Sequence, residues 1–120
     1  VIRQLGAALV LTLFGAACGT GDRPFAVEPV TDAADLEFVI PRGTGERIDR
    51  GEDPGIFPRR LVARVGEVIR IVNRDDRGHI VGPFYVGRRE SITQRFASPG
   101  TYRGECSAHP SGEFEVTVRP

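Results

Sequence analysis

Cys106 and His109 stand on either side of two residues, directly before Pro110, in the stretch Gly100-Thr101-Tyr102-Arg103-Gly104-Glu105-Cys106-Ser107-Ala108-His109-Pro110-Ser111-Gly112. A thiolate sulfur and an imidazole nitrogen are both good ligands for copper and zinc. The chain has one other histidine, His79, which follows a glycine 27 residues before Cys106. The reading is that His79, Cys106 and His109 meet at one end of a β-sandwich and bind a metal ion. A structural zinc site asks for four closed ligands, and only three strong ones are present. Cys106 as nucleophile with His109 or His79 as base is open by composition. The two-residue spacing beside a strand end suits convergent ligation better. The plainest alternative is a buried thiol and two histidines with no common role.

The elements that must position these residues are short strands. Glycine and proline make up a fifth of the 120 residues, spread without period, which suits many strands joined by turns. Strand patterns occupy residues 36–40, 60–65, 67–73, 79–81, 84–86, 90–96, 101–106 and 113–119, and no segment has a clear helical period. Turn formers such as Asn73-Arg74-Asp75-Asp76-Arg77-Gly78 and Ser98-Pro99-Gly100 separate them. Alternation predicts that Phe114, Val116 and Val118 face the core. The same rule turns Tyr102, Gly104 and Cys106 inward, so the thiol ends a strand on its buried side. Residues 41–58 lack the glycine spacing of a phosphate-binding loop and read as a surface excursion.

Sixteen basic residues, all arginine, balance sixteen acids, so charge calls for no nucleic acid or anionic partner. The start of the chain is an address. An arginine precedes an uncharged run from Leu5 to Ala17, too short to span a bilayer comfortably and fitted to a signal-peptide core. It ends in Phe14-Gly15-Ala16-Ala17-Cys18-Gly19, which resembles a bacterial lipobox, with Gly15 where leucine is usual. Residues 1–18 are therefore expected to be a signal peptide with Cys18 lipidated, placing the protein outside the cytoplasm on a membrane. Residues 19–35 follow as a flexible tether, and residues 36–120 as the folded domain.

That domain resembles the cupredoxins, the blue-copper family. The resemblance rests on Arg64-Val65-Gly66-Glu67-Val68-Ile69-Arg70-Ile71-Val72-Asn73-Arg74-Asp75, then Gly78-His79, then Phe96-Ala97-Ser98-Pro99-Gly100-Thr101-Tyr102, then Cys-x-x-His-Pro, in that order. The ligand loop is the short form of the amicyanin- and pseudoazurin-like branch. The resemblance implies an all-β, antiparallel Greek-key β-sandwich holding one type 1-like copper ion. Its ligands would be the Cys106 thiolate and the δ nitrogens of His79 and His109. It also implies a monomer that carries single electrons to a redox protein partner and is not an enzyme; copper oxidases need further histidines that this chain lacks. The alternatives are a copper storage, delivery or sensing protein, and a cupredoxin-like interaction module with little metal affinity. The family's axial ligand is usually a methionine, and this chain has none. Gly112 falls at that place, on the inward face if the last strand reaches it. The weak axial candidates are the Gly78 carbonyl and Glu113, whose parity points it to solvent. Pro83, Phe84, Pro110 and Ile80 are candidates for an apolar patch around His109, and the turn pair Asp75-Asp76 for orienting the His79 ring.

Overall fold

The computed structural model describes residues 25–120. The signal-like run, Cys18 and residues 19–24 lie outside the described residues. The chain runs β1 (Val27–Pro29), β2 (Leu36–Ile40), α1 (Thr44–Asp49), β3 (Arg60–Arg64), β4 (Val68–Asn73), β5 (His79–Val81), β6 (Phe84–Val86), β7 (Ser91–Phe96), β8 (Gly100–Glu105) and β9 (Glu113–Arg119). Every strand expected from alternation is present, with ends shifted by a residue at most. The period-2 pattern is a local signal, which a half-buried strand must carry to put one face in the core.

One sheet has the order β1-β7-β4-β2 and the other β3-β9-β8; β5 and β6 form a hairpin. A bridge from Val81 to Cys106 joins that hairpin to the end of β8. The core lies between the sheets. Ile40, Ile71, Val81, Val86, Phe96 and Val116 are fully buried there. Phe96 meets Phe25 edge-on at 5.3 Å between ring centroids, and Phe57 meets Phe38 at 4.9 Å, spacings at which aromatic pairs attract beyond the area they bury. Phe114, Val116 and Val118 all face inward, as alternation requires.

Three features differ from the sequence expectation. The sandwich is not antiparallel throughout, because β2 pairs with β4 and β3 with β9 in parallel. Successive strands β2, β3 and β4 alternate between the two sheets, so strands that run the same way become neighbours. Second, part of the stretch read as tether is in the fold: β1 pairs antiparallel with β7, and Phe25 is buried. All three residues of β1 are exposed, so the strand carries no alternation of buried and exposed positions. Third, the excursion 41–58 contains α1. Six residues give less than two turns, below the length at which a helix is stable by itself. Its stability must come from what it touches.

Candidate metal centre

His79 is the first residue of β5, opposite Val86, and is 2% exposed. The turn from Asn73 to Gly78 delivers it, and the buried Asn73 side chain holds that turn together. Its amide donates to the carbonyls of Arg77 (2.7 Å), Gly87 (3.0 Å) and Val86 (3.1 Å), while its Oδ1 accepts the Asp75 N–H at 3.0 Å. One side chain thus pins both ends of the turn and ties it to β6. The Asp75 carboxylate lies 2.8 Å from Nε2 of His79. Its Oδ1 accepts N–H groups from Gly43 (3.0 Å) and Asp76 (2.9 Å), and its Oδ2 accepts that of Gly45 (2.8 Å). Burial alone would raise the Asp75 pKa. The His79 ring and the three backbone N–H groups outweigh it and hold the acid down from 3.8 to about 2. An ionised carboxylate only accepts, so Nε2 carries a ring proton, and in the neutral ring the lone pair falls to Nδ1. The Ser107 hydroxyl lies 3.0 Å from that Nδ1.

Cys106 follows β8 directly and is fully buried. A compact loop carries the chain from there to β9. The Cys106 N–H donates to the Gly112 carbonyl at 2.9 Å, the Gly112 N–H to the His109 carbonyl at 2.9 Å, and the Ser107 N–H to the Ile80 carbonyl at 2.8 Å. Burial pushes the Cys106 thiol up from its ordinary value, opposed by a hydrogen bond from the Ala108 N–H. His109 is 7% exposed. Its Nδ1 lies 2.8 Å from the Ser111 hydroxyl and 3.4 Å from the Ser111 N–H. A backbone N–H can only donate, so here too Nδ1 is the acceptor.

Cys106, His79 and His109 line one cleft of about 350 Å³, together with Gly78, Arg77 and Gly112. Among the described residues no three His, Cys, Asp or Glu side chains stand close enough to form a metal-binding group as they are. The hydroxyls of Ser107 and Ser111 occupy the two Nδ1 atoms instead. Glu113 is exposed and borders a different cleft, with Arg59, Arg60 and Arg103. Gly112 is not on the inward face of β9, because the strand begins at Glu113. It is exposed with φ of +69°, and a Cβ there would meet nothing within 4 Å. The loop turns in the left-handed region, where glycine meets no steric penalty, and strand parity ends with the strand. The apolar patch also differs from expectation. Ile80, Pro83 and Pro110 are exposed, but Phe84 is in the core, and the exposed aromatic of the hairpin is Tyr85, directly paired with Ile80. The Asp75 contact was visible in sequence only as an acid four residues before His79. Its partners Gly43 and Gly45 had no signal at all.

No protein-family model matches the chain, and no curated protein matches it. Among solved structures, the chain is similar to a proline variant of amicyanin in its reduced Cu(I) form. They share 18% identity, with 82% of this chain and 97% of that one covered and a TM-score of 0.44. A methionine variant of amicyanin in its Cu(I) form gives the same identity and coverage with a TM-score of 0.45. A purple cupredoxin from Nitrosopumilus maritimus shares 23% identity over 70% of this chain and 99% of that one, with a TM-score of 0.45. By its own strand order and register, the described chain is an all-β sandwich.

Proposed function

We propose that the protein binds one copper ion through Cys106, His79 and His109 and carries single electrons outside the cytoplasm, held to a membrane by a lipid on Cys18. The observation that carries this reading is the shared cleft. Both histidines of the chain and its one described cysteine border the same cavity, at the end of the sandwich where β5 meets the loop after β8. The donors fit the metal by type, since one soft sulfur and two imidazole nitrogens suit both oxidation states of copper. Bound copper supplies a one-electron couple. The chain's own residues prepare for it. Asn73 and Asp75 hold His79, the Ala108 N–H stabilises negative charge on the Cys106 sulfur, and both Nδ1 lone pairs face a hydroxyl that can give way. Burial keeps the thiol protonated, so metal uptake releases that proton and is favoured by rising pH.

The test is Cu(II) addition to the purified protein, read by visible absorption and electron paramagnetic resonance. The expected result is an intense thiolate-to-copper band that Cys106→Ser abolishes. Absence of both the band and tight copper binding would sink the proposal. A storage or delivery role draws on the same donors, and it is favoured by Gly112, which offers no side-chain ligand and lies where an added Cβ would meet nothing within 4 Å. Tight copper that does not cycle reversibly between its oxidation states would establish that second reading.

A further inference from the structure

The excursion 41–58 matches no binding motif, yet it folds and commits two backbone donors to one distant side chain. Gly43 and Gly45 give their N–H groups to Asp75, 32 and 30 residues further along. A second contact fastens the same segment to the same turn. Arg77 pairs with Asp49 at the end of α1 at 2.8 Å, and its side chain lies across Gly45, where a Cβ would come within 2.7 Å of Arg77 Cδ. The turn that carries Asp75 is therefore held from outside by α1 and from inside by Asn73. Four donors converge on a carboxylate that is 3% exposed, and one of them is the His79 ring.

We infer that Asp75 is a positioning residue for the metal centre: its carboxylate, held by Gly43 and Gly45, locks the His79 ring with Nε2 protonated and the Nδ1 lone pair turned toward the donor cleft. This rests on the reading of His79 as a ligand. The physical basis is that a histidine can offer only one unprotonated nitrogen, and the hydrogen bond on the other nitrogen decides which. Without a fixed acceptor at Nε2, the proton is free to move to Nδ1 and block the donor. The helix α1 thereby acquires a role at a distance, since it holds the residue that holds the ring. A carboxylate serving only to tie the loop together would give no preference between the two ring nitrogens.

The test has two arms on the purified protein at neutral pH. Long-range proton–nitrogen NMR of the metal-free protein should find His79 with its proton on Nε2. In Asp75→Asn that tautomer should be lost, and Cu(II) affinity should fall roughly 10–100-fold, the usual cost of losing such a partner. A wild-type His79 carrying its proton on Nδ1 would overturn the inference. So would a variant that keeps either the wild-type tautomer or the wild-type Cu(II) affinity. Where the variant does not fold, the wild-type spectrum decides alone. A wild-type protein that takes up no copper would remove the copper reading and leave the ring spectrum to decide the role of Asp75.

Discussion

Replacing Asp75 with Asn keeps the shape of a buried side chain and removes its charge, and the surroundings make that swap costly. Two N–H groups, from Gly43 and Asp76, point at Oδ1, and two more, from Gly45 and the His79 ring, point at Oδ2. An amide has one oxygen. Whichever way it is turned, its NH2 group faces at least one backbone N–H, and a buried donor is left without an acceptor, which costs roughly 1–3 kcal/mol. The acid itself leads to a similar figure. Holding its pKa from 3.8 down to about 2 corresponds to about 2 kcal/mol of stability at neutral pH. Because the folded-state pKa is depressed, this contribution is complete above about pH 4 and is lost as pH falls through 2. Urea denaturation of both proteins, followed by far-ultraviolet circular dichroism, should therefore show Asp75→Asn less stable by about 2 kcal/mol at pH 7. The gap should close between pH 4 and pH 2, where the wild-type carboxyl also becomes neutral. A gap under about 0.5 kcal/mol at pH 7, the size of an ordinary surface change, would refute the argument. So would a gap that persists unchanged at pH 2.

Further outcomes follow from the core, the loop and the metal. Ile71, fully buried in the central strand β4, should cost roughly 2–5 kcal/mol on truncation to alanine, measured by the same denaturation. Gly112→Ala meets no neighbour but is forced into the left-handed region, so it should cost about 1–2 kcal/mol while leaving any copper band in place. Copper at a hundredfold excess over its dissociation constant should stabilise the fold by about 2.7 kcal/mol. Adding a chelator should return the melting midpoint to the metal-free value, and a midpoint insensitive to both additions would count against a site in the folded state.

The strands were readable because their signal is local: alternation within three to seven residues states which face is buried without reference to any partner. The same parity placed Cys106 inward at the end of β8, where it is buried and borders the cleft that both histidines line. Parity failed one step beyond the strand, at Gly112, because a residue with φ of +69° no longer obeys the extended alternation. The parallel pairings of β2 with β4 and β3 with β9 left no trace in any single segment, since register between strands is a property of two segments and the connection between them.

What the sequence determined by itself, then, was the strands from β2 to β9, the inward thiol and the order of the donor residues. Tertiary structure decided which residues surround those donors. Helix α1 has six residues, too few for its own stability, and exists against the turn that Asp75 and Arg77 present to it. The carboxylate that holds His79 is in turn fixed by backbone groups 30 and 32 residues away. Glycine N–H groups are identical at every glycine in the chain; only the folded path selects the two that meet that acid.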